Sequence, residues 1–332
     1  MVSELQMNYN IISPDNEYNW IPTIAIGGNE YHVRIITKAF QKSDEIRITN
    51  FGQKVPIIDF IYWIGGPGPS VRKFPIFWVK NRPLMILHWI GTDVLNFTRN
   101  SQRNSIRNEV AQEFMRLAVK FKTGIKGIFH LSGAPWLANE LATCGINARY
   151  FPITTIDFDM LKNPFDFEKK DIDFLSYVPF NRFEFYGGDK ILELAQKYPQ
   201  YKFVIVQPDI TVANGKLPDK IIDNLLILPK QDFDEMQELY LRSKCFLRIT
   251  KHDGLSLSVL EALFYNLRVY WTYPFPHTEQ IININDFRTK IPEIIDQWKP
   301  NVEGHRYVVN NFSMHIWKRK FVDLIYQLAG YS

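Results

Sequence analysis

The chain has 332 residues, 46% of them hydrophobic and 15% aromatic, with 39 Lys and Arg against 35 Asp and Glu for a formal net charge of +4. That length suggests about two domains, each able to bury a core, and the composition excludes a disordered, collagenous or low-complexity chain. No apolar run approaches the roughly 20 residues of a membrane span, and the opening MVSELQMNYN is neither a secretory signal nor a basic transit sequence, so a cytoplasmic protein is expected.

Tyr9 to Ser13, His32 to Thr37 and Ile57 to Ile64 read as strands, the last running into GGPGPS, a turn that lacks the glycine order and lysine of a phosphate loop. Leu84 to Trp89 is a further strand, ending in LHWIGTDVL, and a helix from about Ser105 to Phe121 precedes a strand at Gly127 to Leu131 and a short helix ending at Cys144. The two cysteines, Cys144 and Cys245, fall in a predicted helix end and a predicted buried strand, which supports neither a disulfide framework nor a metal site. From Asp171 the alternation is more regular: strand DIDFLSYVP, helix Asp189 to Tyr198, strands KFVIVQPD and NLLILPK, helix DFDEMQELYLRS, and an apolar strand at Cys245 to Ile249. Helices follow at Ile291 to Trp298, His305 to Asn310 and Met314 to Leu328. Such alternation predicts parallel, doubly wound sheets, whose ligands sit at the carboxyl ends of strands. His88 is at such an end.

Lys251 to Asn266, KHDGLSLSVLEALFYN, concentrates the unusual requirements of the chain. It follows a strand and passes into helical periodicity at Leu260, Leu263, Phe264 and Leu267, so Asp253, Gly254, Ser256 and Ser258 form a loop at a helix start. Backbone N–H groups there point at whatever anion approaches, on the positive end of the helix dipole. Glu261, one turn in, could accept two ribose hydroxyls. The bland alternative is that Ser258-Val-Leu-Glu261 is a capping box, in which Glu261 merely reaches back to its own N-cap.

The string HDGLSLSVLEALFYNLRVYWTY resembles the C-terminal signature of retaining GT-B glycosyltransferases of the GT4 type, usually written E-G-F-G-L-P-x-x-E-A-x-A-x-G-x-P-V, with Asp253 and Glu261 on its two acids. It departs at Asp253 for Glu, Ser256 for Gly, Ser258 for Pro, and Asn266-Leu-Arg268 for Gly-x-Pro; Asn266 tolerates the left-handed C-cap that glycine normally supplies. LMILHWIGTDVL is similar to the family's H-G-x-D stretch, and GIFHLSGAPWLANELATCGINARYFPI to its later N-domain run. PFNRFEFYGGDKILELA corresponds to G-R-L-x-x-x-K-G-x-D, with Arg182 displaced by one residue, Tyr186 at the Lys position and Lys190 the nearest cation. PFPHTEQII resembles the G-G-x-x-E loop, putting Thr278 and Glu279 near phosphate and sugar, with His277 beside them.

The resemblance implies an α/β GT-B fold, two Rossmann-like doubly wound domains facing a central cleft. The expected division is 1–158 for the acceptor domain, 159–310 for the nucleotide-sugar domain, and 311–332 for a terminal helix crossing back. It implies a metal-independent retaining glycosyltransferase with a nucleotide-diphosphate sugar as donor and no further cofactor. His88, Asp253 and Glu261 are its catalytic set; Arg182, Lys190, Gly254, Leu255, Ser256, Leu257, Ser258, Thr278 and Glu279 are its donor contacts. A sugar-nucleotide epimerase, a DNA-directed glycosyltransferase and a non-catalytic GT-B binding protein are the alternatives. Asp157-Phe-Asp159 and Asp171-Ile-Asp173 spell the D-x-D of metal-dependent GT-A enzymes, but their interdomain position argues for structural roles.

Between Thr98 and Lys126, Arg99, Arg103, Arg107, Arg116, Lys120, Lys122 and Lys126 face only Glu109 and Glu113, seven minus two for a local excess of five. If this is more than a solvated helix face, Arg103, Arg107, Lys120 and Lys122 mark a surface for an anionic membrane carrying a lipid-linked acceptor, or, as the lesser alternative, for nucleic acid.

Overall fold

The computed structural model describes residues 20–53, 57–66, 83–98, 127–165, 170–209 and 222–330. Two six-stranded sheets organise them. The first comprises β1 (Thr23–Gly28), β2 (Arg47–Asn50), β3 (Phe60–Ile64), β4 (Leu84–Trp89), β5 (Ile128–Ser132) and β6 (Arg149–Tyr150), in the order β2-β1-β3-β4-β5-β6. The second comprises β7 (Ile172–Tyr177), β8 (Phe203–Val206), β9 (Leu225–Leu228), β10 (Ser243–Arg248), β11 (Arg268–Trp271) and β12 (Glu279–Gln280), in the order β12-β11-β10-β7-β8-β9. All pairings of the second sheet run parallel, with Leu247 opposite Ser176 and Arg248 opposite Trp271. Its chain order reverses between β7 and β10, and in an open doubly wound sheet the ligand crevice lies outside the carboxyl ends of the two strands at that reversal.

The strands at 84–89, 172–177, 203–206 and 243–248 coincide with apolar runs, because a strand covered on both faces reads as continuous hydrophobicity, while those at 128–132 and at the sheet edge, 225–228, are apolar but only partly covered, with Leu226 48% exposed. The opening differs from the sequence reading. His32 to Thr37 is not a strand but lies inside the helix Glu30–Ala39. Its Val, Ile and Thr content favours extended chain, yet Asn29 caps a helix there by accepting from the His32 N–H at 3.3 Å, and the buried pair is His32 and Ile36, four residues apart. The first described strand is instead TIAIGG, with Ile24, Ala25 and Ile26 at most 1% exposed. The expected strand at Tyr9 to Ser13 and helix at Ser105 to Phe121 lie outside the described residues.

The described residues gather into two compact units, one drawn from 1–88, 105–130 and 317–332, the other from 89–104 and 131–316. In the first, the terminal helix Met314–Ala329 contributes Trp317 and Phe321, whose rings meet Phe40 at 6.2 and 5.9 Å, while Phe321 also meets Tyr62 at 4.8 Å. In the second, apolar side chains fill both faces of β7, β8, β10 and β11: Leu175, Val204, Phe246 and Val269 pack with Leu260, Leu263 and Phe312 on one, Phe174, Phe203, Cys245 and Leu247 with Ile191, Leu194 and Ile291 on the other. Cys245 is fully buried and burial pushes its thiol well up, whereas Cys144 is exposed. Among the described residues no helix is long and apolar enough to cross a membrane.

Candidate active site

β10 delivers the chain to a loop at residues 249–256, and the helix Leu257–Phe264 starts there with Ser256 as its N-cap. Ser256 satisfies no helix N–H with its side chain; its Oγ lies 2.9 Å from the Ser258 hydroxyl instead. Among the described residues, the N–H groups of Leu255, Ser256, Leu257 and Ser258 meet no acceptor. Four donors thus converge at the positive end of a helix dipole, the arrangement that receives an anion. Gly254 brings this loop close to the Ile90–Gly91 turn within the same unit: a Cβ on it would lie 1.8 Å from the Ile90 carbonyl oxygen. Asp93 holds that turn by accepting from the N–H of Gly91 at 2.6 Å and of Ile90 at 3.1 Å, and its burial raises its carboxyl. Trp136 donates its indole N–H to the Asp253 carbonyl at 2.8 Å, and the His252 ring meets Glu140 at 3.1 Å.

The Asp253 carboxylate is engaged twice. It accepts the N–H of Gly254 at 3.1 Å and forms a two-pronged ion pair with Arg248, Nε to Oδ2 at 2.7 Å and Nη2 to Oδ1 at 3.2 Å, with side chains only 10% and 11% exposed. Arg248 also donates to the Tyr177 carbonyl at 3.1 Å and lies over the Tyr186 ring, 4.7 Å from its centroid. Sequence reasoning passed over Arg248. Its signal was present as the one charge inside the run CFLRIT, since a basic residue in a buried strand needs a partner.

Glu261 does not close a capping box. Its Oε2 accepts the Tyr240 hydroxyl at 2.9 Å, and burial raises its carboxyl to about 7 against the lowering effect of that bond. Tyr240 comes from the helix Phe233–Arg242, and its own hydroxyl is pushed up chiefly by burial and also by Glu261. Behind it Tyr265 stacks on Tyr240 at 5.5 Å. The helix ends in a Schellman turn, Leu267 N–H to Ala262 and Asn266 N–H to Leu263, both 3.0 Å, with Asn266 at φ 61°.

The remaining expected residues are distributed as follows. His88, at the end of β4 in the other unit, is fully buried with its Nδ1 2.7 Å from the Tyr62 hydroxyl. Arg182 is exposed at the end of the 3-10 turn Phe180–Arg182, over the Phe185 ring at 5.7 Å. Lys190 is occupied on its own helix by Glu193 at 2.8 Å and Asp189 at 3.4 Å. The structure does not bring Thr278 and Glu279 to the Gly254 loop. Thr278 donates to the Phe275 carbonyl, and Glu279 pairs with Arg268, which opens β11 opposite Cys245, three residues before the Arg248 level. Both line a 750 Å³ hollow with Lys299 and Asn301. Arg103, Arg107, Lys120 and Lys122 lie outside the described residues. Of the D-x-D acids, Asp157 caps the turn Phe158–Met160, Asp171 pairs with Arg242 and Lys202, and Asp173 with Lys244.

The second sheet, read outward from its reversal, has the order of a dinucleotide-binding domain, and the first is likewise parallel, six-stranded and flanked by helices. The fold is GT-B. Solved GT-B structures share it: HepE of Anabaena, in complex with UDP and glucose, at TM-score 0.61 and 9% identity over 93% of this chain and 100% of its own, and sucrose-phosphate synthase of Thermosynechococcus elongatus at 0.60 and 12% over 90% and 78%. TarM follows at 0.55 and 13%, over 80% of this chain, which spans 54% of TarM. No protein-family model and no curated protein sequence matches the chain. At these identities the likeness to GT-B structures speaks of architecture alone.

Proposed function

We propose that the chain is a glycosyltransferase that moves a sugar from a nucleotide-diphosphate donor to an acceptor hydroxyl. The observation that carries this reading is the row of unengaged N–H groups at Leu255 to Ser258, set at the reversal of a Rossmann-type sheet with Glu261 one turn behind. The N–H groups take the diphosphate; the Glu261 carboxylate, in its ionised form, accepts ribose hydroxyls beside Tyr240. Transfer with retention follows the resemblance of the motif. The bond from the anomeric carbon to the diphosphate oxygen breaks, the acceptor oxygen bonds on the same face, and its proton passes to the leaving oxygen, whose charge the helix N-terminus stabilises. In this scheme Asp253, aimed by Arg248, serves the donor sugar, and His88 keeps the catalytic role that the resemblance of its own stretch implies. No metal step is invoked.

Thermal-shift screening against UDP, GDP and ADP and their sugars tests the reading. A ligand at 100 times its dissociation constant should stabilise by about 2.7 kcal/mol, and product analysis then separates transfer from epimerisation. Indifference to every nucleotide would overturn it. For the acceptor we propose a lipid-borne hydroxyl approached through the basic run at 99–126. Reversing Arg103, Arg107, Lys120 and Lys122 to Glu should abolish sedimentation with anionic vesicles and leave donor hydrolysis intact; binding indifferent to lipid charge would remove that part of the reading.

A further inference from the structure

We propose that Arg248 is a donor-binding residue, the cation that receives the diphosphate; this rests on the nucleotide-diphosphate reading above. β7 and β10 are neighbours in the sheet but next neighbours in no stretch of chain, and it is between their carboxyl ends that the connections diverge. Arg248 is the last residue of β10, and it bridges that divergence by donating to the carbonyl of Tyr177, the last residue of β7. It therefore stands at the crevice where doubly wound sheets bind their ligands.

The surroundings fix its guanidinium without exhausting it. Asp253 takes Nε and one Nη2 hydrogen, Tyr177 takes one from Nη1, and the Tyr186 ring supports a face. A guanidinium has five N–H groups, so two remain without an acceptor among the described residues. They belong to a group held in place by carboxylate, carbonyl and aromatic ring, which lowers the ordering cost of accepting a phosphate oxygen pair. The other cations near the loop are placed differently: Arg182 is exposed on Phe185, Lys190 is bound by Glu193 and Asp189, and Lys251, within the loop itself, is exposed and anchored through its backbone N–H to the Phe185 carbonyl. The Asp253 partnership, which looks like an end in itself, becomes the device that aims Arg248.

The rival account is that Arg248 does no more than neutralise Asp253 and hold the loop. A double variant separates the two. Affinities of UDP, GDP and ADP and of the corresponding monophosphates are measured by calorimetry for the wild type, Arg248→Met, Asp253→Asn and Arg248→Met/Asp253→Asn, with thermal unfolding as the folding control. Removing a charged hydrogen bond to phosphate should weaken the preferred diphosphate roughly 10- to 100-fold in both variants that lack the arginine, and the monophosphate much less. Asp253→Asn, which keeps the guanidinium, should lose only a few-fold. If the double variant binds the diphosphate within about twofold of the wild type, Arg248 served Asp253 alone and the inference falls while the glycosyltransferase reading stands. If the wild type takes up none of the three diphosphates, both fall. Should the methionine variants not fold, Arg248→Lys retains the charge beside Asp253 but loses the fork; loss for the diphosphate alone supports the assignment, and equal loss for both nucleotides overturns it.

Discussion

At Glu261 a single carboxyl, raised to about 7 by burial, subjects folding and binding to opposite demands. Its folded value lies above the ordinary 4.5, so between those two the folded chain holds a proton that the unfolded chain releases, and stability is lost as pH rises through that window. Glu261→Gln, freed of that cost, should melt above the wild type at pH 8, by roughly 2–4 °C per kcal/mol, with the gap closing toward pH 5. Nucleotide binding should run the other way. On the proposed function the ionised carboxylate accepts ribose hydroxyls, so wild-type affinity should weaken as pH falls below 7. The Gln variant, bound about 1.5 to 3 kcal/mol more weakly at pH 8, should lack that component and keep only the titration of the phosphate. Equal pH profiles, measured by calorimetry, would remove Glu261 from the nucleotide site. Gly254 is as constrained by space as Glu261 is by charge: Gly254→Ala places a methyl against the Ile90 carbonyl at 1.8 Å, and a lower melting temperature together with lost nucleotide uptake is expected. The two acids and the glycine were legible in the sequence as candidates because the motif carries them. Arg248 and Tyr240 were not, because their relevance arises from strands and helices brought together across the fold.

The helix Leu257–Phe264 was readable at both ends, its start from the Asp-Gly-x-Ser loop and its end from Asn266, whose φ of 61° satisfies the expectation that asparagine takes the left-handed position. Asn266 also donates its amide to the Pro164 carbonyl at 3.0 Å while fully buried. Asn266→Ala should therefore cost roughly 1–3 kcal/mol in chemical unfolding, and Asn266→Gly less, since glycine keeps the backbone conformation. The helix Glu30–Ala39 shows the opposite case. HVRIIT has strand composition, and only the cap at Asn29 and the i, i+4 burial of His32 and Ile36 reveal the helix. Period-two reading fails there because four β-branched residues, Val33, Ile35, Ile36 and Thr37, are counted without their faces. The terminal helix was legible as amphipathic, but not which of its aromatics matters. Phe321, fully buried against Phe40 and Tyr62, should cost about 3–5 kcal/mol on change to alanine, whereas an exposed position such as Arg319→Ala should cost under about 0.5 kcal/mol.

For the whole molecule, alternation of strand and helix was enough to predict two doubly wound sheets, since burial on both faces leaves an unmistakable apolar run. The grouping of 89–104 with 131–316 was not legible, because it depends on contacts such as Gly254 against Ile90 and Trp136 with Asp253 rather than on chain order. On the metal-independent reading, turnover should survive excess EDTA; reversible loss restored by Mn²⁺ or Mg²⁺ would reject it. The unequal placement of the two cysteines also supplies a clock. Cys144 is exposed and Cys245 sealed in β10 between β7 and β11, so under native conditions a thiol reagent should mark the first within seconds to minutes and the second only during excursions that part the second sheet. The ratio of the slow rate to that of a denatured control measures how often the sheet parts. A nucleotide bound only to the closed form, at 100 times its dissociation constant, should slow that second modification about 100-fold, so mass spectrometry of one peptide can report ligand binding without any assay of sugar transfer.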